Sequence, residues 1–375
     1  MPSWKERIME TLDILLSSTL YCRHKNPAQF LGRVETLMET YDDYLRLLIL
    51  NSSSDVFQEL KHAKGEYKFE EIAYSRDILA GNLCRVYGRH EKRKLEGKLT
   101  LFKSNHAEVY VVITHERRKI FEECIFRFFS SKYPKISLPF FYSWQMKYFL
   151  DQLQKGSPND KIIVTASLRK SRIENPQARK FKETDKTWTD LPYEEFFEQT
   201  KQRSEWVDKV YFDLISEKRV TTKGMISRDG KFAWLGQFTL FHQIILEQAV
   251  QASAKNHEKL NKRSRNEQPG FKAKPIFIEY DVSIFADKEQ NKNLIRALKK
   301  LPHSANSVIH ENPYLHMTLT DYLDGSSCDI WVLSNNKISI IPQTICSASS
   351  LNRICSSIFR DFMEGNIKDP SEVEI

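Results

Sequence analysis

Along the first eighty residues or so, apolar positions recur at helical spacing. In KERIMETLDILLSS they are Ile8, Met9, Leu12, Ile14, Leu15 and Leu16; in RVETLMETYDDYLRLLIL they are Val34, Leu37, Met38, Tyr41, Tyr44, Leu45 and Leu48. The serines of NSSSDVFQEL then offer caps for a further helix over about 54–63. This pattern predicts an N-terminal helical region over residues 1–80.

Near residue 84 the period changes from helical to alternating, and a plan of two or three strands followed by a helix recurs three times. The first copy runs from CRVYGRHEKRKLEGKLTLFK to a helix whose inner face carries Ile120, Phe121, Cys124, Ile125, Phe128 and Phe129. The second is KVYFDLISEKRVTTKGMISRDGKFAWLGQFTLFHQIILEQAV, with turns at SEKR and SRDGK. The third is HENPYLHMTLTDYLDGSSCDIWVLSNNKISIIPQ followed by a helix over about 348–364. Identity between the copies is slight, so a shared strand-and-helix habit explains them as readily as duplication. Strands in runs, then helices, predict an α+β fold: an N-terminal helical region followed by two or three antiparallel-sheet ββ(β)α units, over 81–166, 187–254 and 275–375. Two polar stretches, 167–186 with seven basic and three acidic residues and 255–274 with seven and two, read as basic linkers or loops.

A chain of 375 residues has room for two or three such domains, and its 41% apolar content suffices to bury cores, which excludes a disordered class. The formal charge of +8 favours acidic partners, although 57 basic residues face 49 acidic ones and most charge can be answered locally. The six cysteines contain no C-x-x-C pair, which argues against zinc. No basic-then-apolar leader and no long apolar span occur, so the expectation is an intracellular protein with reduced thiols, cytoplasmic or nuclear, and no membrane partner.

Three constellations carry candidate chemistry. YLHMTLTDYLDGSSCDIWVL, residues 314–333, gathers His316, Asp321 and Asp329, groups that could shuttle a proton or hold Mg²⁺ or Mn²⁺ in a nuclease or phosphodiesterase. Alternation puts His316, Thr318 and Thr320 on one strand face and Met317, Leu319 and Leu323 on the other. Asp324 serves the Asp-Gly turn, and Asp321 falls on the apolar face, where it is either buried and paired or open to water. A hairpin with a polar tip explains the stretch without catalysis. The single H-x-T tetrad at His316 has no second copy, which a two-histidine phosphoesterase needs. Glu96 and Lys98 with Asp77, or Glu66 and Lys68 with Asp55, match the Asp…Glu-x-Lys spacing of metal-dependent nucleases, a pattern that arises readily by chance in a chain with 28% charged residues. Phosphate loops and a nucleophile elbow are absent from the sequence.

The second constellation is basic and aromatic. Arg85, Arg89, Lys92, Arg93 and Lys94 surround Tyr87, and Arg117, Arg118 and Lys119 open a helix where acids would suit the dipole better. The third, LPFFYSW, places Phe140, Phe141, Tyr142 and Trp144 within five residues, a surface for a protein partner or a two-sided core. The reading that follows is a non-catalytic nucleic-acid-binding protein, DNA or RNA, without cofactor. It would contact phosphates through Arg85, Arg89, Lys92, Arg93, Lys94 and Arg117 to Lys119, with 169–186 and 255–274 as secondary contacts. The alternatives are the metal-dependent nuclease and a protein-docking subunit.

Overall fold

The computed structural model describes residues 26–38, 44–87, 93–171, 187–266 and 275–368. These divide into two compact units. One takes the described residues up to Leu168 with 187–199 and 209–254; the other takes 169–171, 200–208 and those from Lys255 onward. The fold is α+β, built on two antiparallel sheets of ten and six strands.

The expected N-terminal helical region is not what forms. Helix α1 is described over Pro27–Met38, and LRLLILN becomes strand β1 (Leu45–Asn51), the central strand of the ten-stranded sheet. Its almost unbroken apolar run is the reason: covered on both faces, such a strand shows no alternation, and spacing alone cannot separate it from a helix. The expected helix at 54–63 is α2 (Val56–Lys61), capped by Asp55 rather than by a serine, whose carboxylate accepts from the Phe57 N–H at 2.9 Å. Asp55→Ala is expected to lower stability by about 1 kcal/mol, read from the urea midpoint. The stripe at residues 4–17 lies outside the described residues.

Strands β2 (Tyr67–Ser75), β3 (Ile78–Tyr87), β4 (Arg93–Lys103) and β5 (Val109–Thr114) follow α2 and lead into helix α3, made of Arg118–Ile120, a π turn Phe121–Phe126 and Arg127–Ser130. After α4 (Ser143–Gly156) and β6 (Lys161–Ser171) come β7 (Thr187–Pro192) and α5 (Tyr193–Gln202). Then β8 (Glu205–Ser216), β9 (Arg219–Ser227) and β10 (Lys231–Leu235) lead into α6, made of Phe238–Leu240, a π turn Phe241–Leu246 and Glu247–Asn261. Both helices turn π three residues after they begin, at Phe121 after Arg118 and at Phe241 after Phe238.

The sheet order is β2-β3-β4-β5-β1-β10-β9-β8-β6-β7, so residues 81–166 and 187–254, expected as separate units, share one sheet. Strands β5 and β10 both run antiparallel to β1 and therefore parallel to each other. The helices that follow these two strands lie on opposite faces of the sheet. Leu48, Leu50, Leu101 and Val112 pack with Phe121, Cys124 and Phe128 of α3. On the other face, Phe232, the cross-strand partner of Leu47, and Trp234 pack against Phe241 of α6.

The second unit repeats the connectivity of the first half. After β11 (Arg265–Asn266), strand β12 (Ile276–Glu279) is followed by α7 (Glu289–Lys299) and by β13 (Ser304–His310), β14 (Leu315–Asp321), β15 (Ser327–Ser334) and β16 (Lys337–Pro342). Then come β17 (Ile345–Cys346), α8 (Ala348–Asp361) and β18 (Asn366–Lys368). Its order β13-β14-β15-β16-β12-β18 matches β2-β3-β4-β5-β1 with one added edge strand. Leu315, Met317, Leu319, Ile330, Val332, Ile338 and Ile340 are buried, whereas the alternate residues of β14 to β16 are half-buried. Residues 255–261, expected in a linker, continue α6, and 265–266 pair with β17.

Candidate nucleic-acid interface

The basic hairpin β3–β4 folds as expected, but alternation divides its cations. Arg85 points to the α3 face. There it is 3% exposed, its guanidinium 3.2 Å from the Glu66 carboxylate and donating to the Glu123 carbonyl at 2.6 Å. A buried, fully engaged guanidinium is a strut between strand and helix, which removes Arg85 from the phosphate contacts. Arg89 and Lys92 lie outside the described residues, as does the side chain of Arg93, whose backbone opens β4.

Lys94 is exposed on the opposite face and pairs with Glu96 at 3.0 Å. Both line a cleft of about 420 Å³ together with Lys68, Glu70, Asn82 and Cys84. Its two lysines face two glutamates, so the cleft offers a phosphate no net attraction. The nuclease-like spacings come apart as well. Cys84 is opposite Glu96 while Ile78 is opposite Phe102, so Asp77, in the turn before Ile78, lies about 20 Å along the hairpin from Glu96. In the other match, Glu66 is taken by Arg85 and Asp55 by its helix.

Arg117, Arg118 and Lys119 are exposed at the start of α3. Beside them is a feature that the sequence did not announce. Lys231 is buried, with its Nζ 2.9 Å from Asp229, 3.3 Å from Glu122 and 3.9 Å from the centre of the Phe126 ring. Burial pulls its pKa down, but the two carboxylates more than offset this and hold it above the ordinary lysine value. Lys209, half-buried on strand β8 two strands away, is in the reverse condition. Burial first and the Lys231 charge second lower its pKa, with Arg118 acting in the same direction, and Asp229 and Glu122 only partly compensate. Those two carboxylates are already bonded to Lys231. A strand reading of KVYFDL shows a lysine alternating with apolar residues, and nothing in it reveals that a second lysine two strands away shares the site.

The third-copy hairpin forms with the predicted register, and its residues part company. His316 and Asp329 share the half-buried face, with Nε2 to Oδ1 at 3.9 Å, and the imidazole stacks on Trp331 with centroids 3.6 Å apart. Asp329 accepts from the Thr318 hydroxyl at 2.7 Å and from Gln343 Nε2 at 2.5 Å. Asp321 is on the opposite face, 0% exposed, and both of its oxygens lie 2.8 Å from Nη1 of Arg353. It also accepts from the Ser350 hydroxyl and from the Leu323 N–H. The proposed His316, Asp321, Asp329 cluster is thus split across the sheet, and Asp321 holds α8 to the strand. Asp324 serves the turn, accepting from the Ser326 N–H and the Ser347 hydroxyl, with Gly325 at φ 75°. Among the described residues no group of three His, Cys, Asp or Glu side chains converges as metal ligands.

Of the aromatic run, Phe140, Phe141 and Tyr142 are core residues. Only Trp144 is exposed, at 55%, stacked on Tyr142. Cys84, Cys124, Cys328, Cys346 and Cys355 are buried free thiols, and burial pushes Cys124, Cys346 and Cys355 up to about 12. No described helix is long and apolar enough to cross a membrane. The fold defines an α+β protein built on two antiparallel sheets of ten and six strands. The sequence matches no protein-family model and no curated protein.

Proposed function

We propose that the protein binds nucleic acid without cleaving it, holding phosphates at the start of α3 with Arg117, Arg118, Lys119 and Lys209. The observation that carries this reading is the placement of Lys209, which strand register sets on the same sheet face as Lys231 across β9, where burial and the Lys231 charge lower its pKa and the nearby carboxylates are bonded to Lys231. An arrangement that disfavours a cation in the free protein favours an anion brought to it, and a phosphate supplies the missing charge. The three exposed cations at the helix start extend the same positive field outward. The basic segments 169–186 and 255–274 offer secondary contacts. Nuclease action is not proposed, because Asp321 is committed to Arg353 and Asp77 is remote from Glu96.

The reading is tested by fluorescence-anisotropy titration of labelled DNA and RNA across a range of salt. Replacing Arg117, Arg118 and Lys119 with Glu should reduce the slope of log affinity against log salt by about 3, roughly one for each phosphate that the variant no longer neutralises. Lys209→Met should weaken binding while raising the urea midpoint, since it removes a poorly solvated charge. Undiminished affinity in both variants would refute the assignment.

A further inference from the structure

On the half-buried face of the six-stranded sheet, strand register sets one row of side chains directly opposite one another across five strands. His316 on β14 faces Trp331 on β15, Trp331 faces Ser339 on β16, Ser339 faces Phe277 on β12, and Phe277 faces Lys368 on β18. The row alternates with the buried positions Met317, Ile330 and Ile340, so it stands on the face that does not receive Asp321 and α8.

Neighbouring strands lie about 4.8 Å apart, and His316 and Trp331 show what this spacing does to rings. Their planes are within 14° of parallel with centroids 3.6 Å apart, a closed stack. Trp331 and Phe277 stand two strands apart, separated by about twice that distance, and the residue between them is a serine. A planar ring seated above Ser339 would meet the indole on one side and the phenyl on the other, extending the stack that His316 begins. Two lysines border the slot. Lys337 lies on the same face of β16, directly opposite Glu279 of β12, its Nζ 5.4 Å from the centre of the Phe277 ring; Lys368 borders the same ring from the other side, and Asp329, the other carboxylate of this face, is held by Thr318 and Gln343.

We propose that this row is a stacking slot for an unpaired base of single-stranded nucleic acid, walled by Trp331 and Phe277 and floored by Ser339, with Lys337 and Lys368 holding the flanking phosphates. A base in duplex is already stacked on both faces and cannot enter; an unpaired one offers a bare π-face to both rings. The ligand is therefore a planar heteroaromatic ring joined to an anion, the description of a nucleotide in a single strand. The inference rests on the nucleic-acid reading above but concerns a different unit and a different contact.

The test compares fluorescein-labelled single-stranded and duplex oligonucleotides on the full chain, with wild type, Ser339→Phe and Phe277→Leu. Ser339→Phe fills the slot with a ring of its own and Phe277→Leu removes a wall. Each is expected to weaken single-strand binding by about 5- to 150-fold, the range for one stacked base, and to leave duplex binding unchanged. If Ser339→Phe does not fold, Phe277→Leu carries the comparison. Single-strand affinity at the wild-type level in a folded variant overturns the slot, as does a wild type that binds both oligonucleotides equally, and in both cases phosphate binding at α3 stands. A wild type that binds neither oligonucleotide overturns the nucleic-acid reading itself.

Discussion

Arg353→Met is expected to destabilise the second unit by about 3–5 kcal/mol, read as a fall in the urea midpoint of that unit. The cause is not the loss of an attraction so much as the charge left behind. Asp321 is fully buried on the core face of β14, and Arg353 of α8 gives both of its oxygens one nitrogen, Nη1, while Nη2 donates to the Pro302 carbonyl. With the guanidinium gone the buried carboxylate loses its charged partner, and neutral donors such as the Ser350 hydroxyl at 3.3 Å and the Leu323 N–H at 3.1 Å do not offset its desolvation. The double variant Asp321→Leu, Arg353→Met should recover most of the loss, because an apolar pair of similar volume needs no desolvated charge. Recovery would identify the pair as a device for docking α8 in one register; its absence would assign it a net stabilising role.

Trp234→Ala is expected to cost about 3–5 kcal/mol in the first unit, measured by the same unfolding. Trp234 is among the largest fully buried side chains, its indole 5.0 Å from the Phe241 ring and 6.0 Å from Phe212, and its Nε1 donates to the Gln237 carbonyl at 3.0 Å. It therefore joins strand β10, strand β8 and the π turn of α6 in one contact. Truncation leaves a cavity whose walls are fixed by the sheet on one side and cannot collapse freely. Trp234→Phe should lose less, since the ring contact survives and only the indole hydrogen bond and one ring are removed.

Much of this architecture was legible in the residues. The Asp-Gly pairs at 229–230 and 324–325 mark hairpin turns with positive φ at both glycines, and alternation through 315–321 gave the register of β14 and the odd placement of Asp321. What escaped did so for physical reasons. Strand β1 is apolar on both faces, so it has no period of two. Arg85 looked like a surface cation because its partner Glu66 belongs to the turn before β2 and its acceptor, the Glu123 carbonyl, to a helix. The row from His316 to Lys368 draws on five strands, with Phe277 far in sequence from Trp331, and becomes visible only once the strand order is known.

The position of β1 also bears on how the chain reaches this structure. Leu48 pairs with Val112 on one side and with Lys231 on the other, so the central strand is joined early along one edge and very late along the second. During synthesis from the N-terminus, its free edge must wait for β10 to emerge, and an unpaired apolar strand is a template for mispairing with other chains. Such a high contact order implies slow closure of the ten-stranded sheet, with the first half ordered well before the second. The seam between the two halves is therefore where productive folding and aggregation compete, and chaperone dependence should track the availability of residues 231–235.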